Sequence, residues 1–142
     1  MTISRILATR SFEIVTCDAG CTVTEAIDLL AEYRIGALPV VEDGAVVGIF
    51  SERDVIYLLR KHGSSALSLN VRNAMTTPAV TVDAATEALE ALALMTRRRI
   101  RHLPVMDGGR MTGFVSIGDL VKYRIEKVQA EAEAMRSYIQ TA

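Results

Sequence analysis

Apolar residues recur along this chain at two alternating periods. Ala26, Leu29, Leu30 and Tyr33 fall at i, i+3, i+4 and i+7, one face of an amphipathic helix. Thr22, with Glu25 three places on, makes a capping-box start for it. A strand is expected before it, around residues 13–17. Residues 37–41 and 45–50 are short apolar runs separated by Glu42-Asp43-Gly44, a turn with the glycine such a turn favours. A further helical pattern opens at Ser51 and closes at Lys61-His62-Gly63, where the glycine suits a C-cap. The unit therefore reads strand, helix, strand, strand, helix.

The same unit then returns. Arg34, Ile35, Leu38, Pro39, Val40, Gly44, Gly48, Ser51 and Asp54 recur, 65 residues later, as Arg99, Ile100, Leu103, Pro104, Val105, Gly109, Gly113, Ser116 and Asp119. Nine identities over 23 ungapped positions mark one unit used twice. Val15-Thr16 and Asp18 align with Val80-Thr81 and Asp83 at the same offset. In the second copy Ala88, Ala91, Leu92 and Met95 give the matching helix face, and Asp107-Gly108-Gly109 the turn. Residues 64–70 are expected to join the units. The organisation reads as repeat 1 over residues 1–68, repeat 2 over 69–127 and a helical tail over 128–142. Along the tail Val128, Ala132, Met135 and Ile139 keep helical spacing, a stripe that asks for a partner surface. One repeat of this size buries little surface alone, so the two are expected to pack face to face about a pseudo-two-fold axis, in a mixed α/β (α+β) fold.

Composition narrows the function without choosing it. Half of the 142 residues are apolar and the net charge is −1, which gives no global attraction to nucleic acid or anionic membrane. No apolar run approaches the roughly 18 residues of a membrane span. The segment MTISRILATRSF lacks the apolar stretch of a secretory signal. The expectation is a cytoplasmic protein, with an organelle-targeting segment as the alternative. Cys17 and Cys21 have no second cysteine pair or neighbouring histidine, a poor basis for zinc. They read as small buried residues between strand and helix, with a redox pair as the alternative. No Gly-rich phosphate loop, HExxH or convincing Ser/His/acid set is present, so the expectation is no enzyme and no catalytic cofactor.

Candidate chemistry gathers at Ser-x-x-Asp, where a strand becomes a helix in both copies: Ser51 with Asp54, and Ser116 with Asp119. One reading is a helix cap, although aspartate is short for the N3 reach back to the backbone. The other is a ligand site. Free N–H groups at a helix start suit phosphate, and a carboxylate one turn in suits the vicinal diol of a ribose. The two readings are compatible.

The doubled pattern LPVV-turn-G-x-x-x-G-I-x-S-x-x-D, preceded by TVTEAIDLLAEYRIGA, resembles a pair of CBS domains (a Bateman module), specifically the stand-alone CBS-pair proteins. The likeness covers nearly the whole chain. It implies two clefts between the repeats for adenosyl ligands (AMP, ADP, ATP, S-adenosylmethionine or NAD), a homodimer formed through the CBS repeats, and control of an unidentified partner protein. Carried over by position, Asp54 and Asp119 would hold ribose hydroxyls, and Ser51 and Ser116 would face phosphate or the ribose edge. Ile35, Gly36 and Ala37, and likewise Ile100, Arg101 and His102, would border base and phosphate. Pro39 and Pro104 would shape the cleft walls. Thr76 would help line the second site, with Ser11 as its offset counterpart in the first. Arg53 would serve phosphate in the first cleft, where the second has Gly118. Arg101 and His102 in place of Gly36 and Ala37 make the second cleft the more cationic. Arg97 and Arg98 read equally as solvated cations at a helix end. The alternative function is a ligand-free interaction module acting through its dimer surface and C-terminal helix. Nucleic-acid binding, resting only on the Arg97–Arg101 cluster, is the weaker rival.

Overall fold

The computed structural model describes residues 1–9 and 14–141. The first repeat contains β1 (Cys17–Asp18), α2 (Val23–Tyr33), β2 (Ala37–Glu42), β3 (Ala45–Ser51) and α3 (Glu52–His62). The second contains β4 (Val82–Asp83), α4 (Ala88–Arg98), β5 (His102–Asp107), β6 (Arg110–Ser116) and α5 (Ile117–Thr141). Two 3₁₀ segments, Gly63–Ser68 and Val71–Asn73, join them, where a plain loop was expected. A short helix, α1 (Ile3–Ala8), precedes everything. The expected first strand is only Cys17–Asp18, and Glu13 lies outside the described residues.

Each repeat makes its own three-stranded sheet, in the orders β1-β2-β3 and β4-β5-β6. The first pair of strands is parallel and the second antiparallel in each. The hairpins turn on Asp43-Gly44 and Gly108-Gly109, all with positive φ, which a two-residue turn of this hand requires at both positions. Both copies carry the same irregularity, between Val40 and Val41 and between Val105 and Met106.

Two cores result. Val23, Ala26 and Leu30 of α2 pack on Leu38, Val40 and Phe50; Ala88, Ala91 and Met95 of α4 pack on Leu103, Val105 and Val115. Tyr33, placed by its spacing on the apolar face, is instead 53% exposed. It is the last residue of α2, directly before the left-handed cap Arg34.

Each core is completed by the segment that leads into the other repeat. Val71 is fully buried in the first core, and Ile3 in the second. Ile3 and Ser4 donate backbone N–H groups to the carbonyls of Thr86 and Ala84; Val71 and Arg72 donate in the same way to Cys21 and Ala19. These equivalences run at an offset of 68, against 65 from β1 onward. The same register sets Leu7 against Gly113 and Met75 against Gly48. Residues 9–16 thus hold three more positions than their counterparts. In this register the equivalent of Thr76 is Ala8, not Ser11; Ser11 itself lies outside the described residues.

Candidate functional site

Where β3 meets α3, Ser51 is the N-cap and Asp54 stands at N3. The Ser51 N–H donates to Asp54 Oδ2 at 2.9 Å, and the Asp54 N–H donates to Ser51 Oγ at 3.4 Å. Aspartate therefore closes the full capping box despite its shorter side chain, contrary to the reach expected from sequence. Ser116 and Asp119 repeat both bonds at 2.7 and 3.2 Å. The cap engages only one oxygen of Asp54. The other, Oδ1, accepts from the Thr76 hydroxyl at 3.1 Å.

Thr76 reaches Asp54 because residues 75–77 run along the free edge of β3. Thr76 and Ile49 exchange backbone hydrogen bonds of 3.0 and 2.8 Å, and the Thr77 hydroxyl donates to the Val47 carbonyl. Gly48 permits this approach, since a Cβ there would lie 2.6 Å from Met75 Sδ and 2.8 Å from the Thr76 carbonyl. Thr76 thus belongs beside Asp54, not beside Asp119 as the sequence reading had it.

These groups open onto a cleft of about 470 Å³ between the repeats. The first repeat contributes Gly36, Ala37, Ser51, Arg53 and Asp54 to its lining; Thr76, Ile100, Arg101 and His102 line this same cleft, so Arg101 and His102 stand with Gly36 and Ala37 and not in a separate, more cationic second cleft as expected. Ile35, Pro39, Pro104, Ser116 and Asp119 do not line it. Pro39 and Pro104 are buried within their strands, opposite Ile49 and Phe114, so Ile49 rather than Pro39 presents the wall. Ser116 and Asp119 stand at the pseudo-symmetric helix start.

Sequence reasoning missed Ile49, Glu52, Tyr57, Pro78, Ala79, Val80 and Arg99, and held Arg98 equally between solvent and cleft; all of them line the cleft. Tyr57 was findable, being one helical turn beyond Arg53. Arg97 does point elsewhere, to a shallow groove with Asp83 and Glu90. Arg99 is a left-handed C-cap, φ 55°, a conformation unusual for a residue with a side chain. It leaves the Arg99 carbonyl facing Arg53, whose Nη1 donates to it at 3.1 Å.

The cleft thus has one acidic corner, Asp54 with Glu52, and a cationic rim of Arg53, Arg98, Arg99 and Arg101. His102 stacks on Phe114 with ring centroids 5.5 Å apart. Its Cε1 would lie 3.4 Å from a Cβ on Gly36, an ordinary contact, so the ring of one repeat stands directly against the backbone of the other. Burial, and secondarily the charge of Arg101, hold its imidazole below the usual histidine range. Away from the cleft, Cys17 and Cys21 are free thiols. Burial first, then Cys21 and Asp18, push Cys17 up to about 12, and burial also raises Cys21. Among the described residues no helix is long and apolar enough to cross a membrane.

The CBS domain family model matches residues 3–61 and 71–126. A mitochondrial CBS domain-containing protein of Arabidopsis thaliana, CBSX3, is 37% identical over 129 residues; the match covers 87% of this chain and 63% of that protein. Inosine-5'-monophosphate dehydrogenase of Mycobacterium tuberculosis is 40% identical over 111 residues, 76% of this chain but only 20% of the enzyme. The likeness is thus confined to a fifth of the enzyme. Among solved structures, a protein with CBS domains from Burkholderia ambifaria superposes with a TM-score of 0.83 at 39% identity, covering 89% of this chain and 95% of that one. ATU1752 of Agrobacterium tumefaciens gives 0.83 at 35% identity, with 87% and 92% covered. CBSX2, solved in complex with AMP, gives 0.74 at 25% identity, with 88% and 96% covered.

Proposed function

Because the chain belongs to the CBS-domain family, we propose that it is a regulatory module which senses an adenine nucleotide in the cleft between its repeats and controls a partner protein through the resulting change of shape. The observation that carries this is the junction of Asp54 and Thr76 with the arginine rim in one cleft of about 470 Å³, within the size range of small-ligand sites. Asp54 Oδ1 and the Thr76 hydroxyl suit a ribose diol. Arg53, Arg98, Arg99 and Arg101 suit phosphates, and favour ATP or NAD over a ligand with a single phosphate. Ala37, Ile49 and Val80 offer apolar wall for a base. The AMP complex of CBSX2 supports the ligand class. Ser116 and Asp119 would serve a second, pseudo-symmetric site.

The module would act as a homodimer joined through its repeats. Ile56 and Val121, equivalent residues at the start of α3 and α5, are 64% and 41% exposed, which is the pattern of a surface awaiting a partner. The proposed compartment is the cytoplasm.

Isothermal titration with adenosine, AMP, ATP and NAD, alongside mass spectrometry of ligand released from gently purified protein, tests the reading. Saturable binding that strengthens with phosphate number is expected. No heat with any of them, on protein shown to be ligand-free, would favour the other reading, an interaction module working through the exposed stripe of α5.

A further inference from the structure

Helix α5 runs 25 residues without a break, roughly 37 Å at 1.5 Å per residue. Only its first turns rest on the body of the protein. Leu120 is buried in the second core and Tyr123 packs against it, with Lys127 half-buried on the same side. A second stripe lies roughly a third of a turn away. Val121, Ile125, Val128, Met135 and Ile139 are all between 41% and 67% exposed, and Ala132 is exposed in line with them. Their spacing is 4, 3, 4, 3, 4, the alternation of a and d positions along a coiled-coil seam. Ile125, Ala132 and Ile139 take the a positions, and Val121, Val128 and Met135 take d. The residues touching the body, Leu120, Tyr123 and Lys127, fall at c and f, on the far side of such a seam.

The flanking charges choose the occupant and its direction. In a parallel pair the g residue of one helix meets the e residue five places on in the other. Glu131 then faces Arg136 of the second copy, twice by symmetry, and Arg124 faces the neutral Gln129. In an antiparallel pair with the same apolar layers, Glu131 approaches Glu131 of the second copy, and Lys122 approaches Arg136. We infer that α5 forms a parallel, in-register two-stranded coiled coil with α5 of a second copy of this chain. This rests on the homodimer proposed above and deepens it, since parallel tails set the two second repeats side by side. A seam of fewer than three heptads is marginal alone; joined to an existing dimer, it forms at the high effective concentration of a tethered pair.

The test uses the full chain with Cys21→Ser, leaving only the buried Cys17. Met135→Cys and Ile125→Cys are made separately and oxidised mildly at micromolar concentration, with the native mass measured by light scattering. A parallel seam gives a covalent dimer from each variant alone and no cross-link between the two when mixed. An antiparallel seam gives the reverse, and overturns the direction. Equal cross-linking in every combination marks unpaired, flexible tails and overturns the seam. A dimer by mass in which no cysteine cross-links overturns the seam and leaves the homodimer standing, whereas a monomer overturns both. As a second check, Glu131→Arg should slow the Met135→Cys cross-link several-fold, and adding Arg136→Glu should restore it. An unaltered rate in both would reject the parallel pairing.

Discussion

The guanidinium of Arg53, at the start of α3, donates to the carbonyl of Arg99, at the end of α4. One repeat's helix N-terminus is thereby tied to the other's helix C-terminus, directly at the mouth of the cleft. An anion arriving there competes with that carbonyl for the same guanidinium. Arg53→Ala should lower the affinity for ATP more than that for adenosine. It should cost at most about 1 kcal/mol of stability, since the bond is solvent-exposed. Titration with both ligands, with calorimetric melting of the apo protein, checks this; an unchanged ATP-to-adenosine ratio would show that Arg53 is only a tie.

Asp54→Asn separates cap from ligand. An amide oxygen can still accept the Ser51 N–H, so the apo melting point should move by the equivalent of about 1 kcal/mol or less. Loss of the carboxylate should weaken nucleotide binding roughly tenfold or more. Thr76→Val should act in the same direction and more weakly, because it removes one neutral donor to Oδ1. Wild-type affinity in the Asp54→Asn, Asp119→Asn double variant would reject the ribose role for both residues.

The two glycines at the sheet edges should respond unequally to a methyl group. At Gly48 the added Cβ would meet the Thr76 backbone carbonyl at 2.8 Å; at Gly113 the nearest described atoms are those of the Leu7 side chain, from 2.5 Å. A side chain can swing aside, whereas the backbone must shift. Gly48→Ala is expected to cost about 1–3 kcal/mol and to weaken ligand binding by displacing Thr76. Gly113→Ala should cost less and leave the cleft unchanged. Urea unfolding of the two variants decides it.

His102 gives the protein a pH dependence whose sign is fixed. Its folded-state pKa is depressed by burial and by Arg101, with Glu52 the acid that faces it across Gly36. The unfolded chain binds this proton more readily. The stability contributed by the neutral ring is complete above about pH 6.5 and is lost as the pH falls toward the depressed value. The thermal midpoint should therefore drop on acidification below about pH 6.5, and His102→Gln should flatten that drop. A phosphate bound nearby acts oppositely on the ring, so its stabilising increment should grow over the same window.

Most of the architecture was legible because it is written twice. Ser-x-x-Asp, the Asp-Gly and Gly-Gly turns and the helix faces each had a second copy against which to be checked. Periodicity could not reveal the crossing of the lead-in segments. Residues such as Ile3 and Val71 sit in stretches too short to show a helix or strand period, and their burial depends on strands more than 15 residues away. The change of offset from 68 to 65 falls among residues 9–16, where no motif marks it. For the same reason Thr76 was assigned to the wrong Ser-x-x-Asp: the sequence shows it leading into the second repeat, while the antiparallel bridge to Ile49 folds it back onto the first. The arginines at the end of α4 carried two equally good readings in the sequence. Only the packing of the repeats divides them, Arg98 to the cleft and Arg97 to the outside.

The crossed lead-ins also govern the order in which the chain can be completed. Ile3 leaves a ribosome long before Thr86, yet it bonds that residue's carbonyl, and the core it fills is made of β5, β6 and α4. The first repeat in turn lacks Val71 until synthesis has passed its own last helix. Neither half can reach its final state while it is the only half present, so nascent chains should stay protease-sensitive until most of the second repeat has emerged. The finished protein should then melt in one step, not two. The segment that leads into the first repeat would be among the last to find its place.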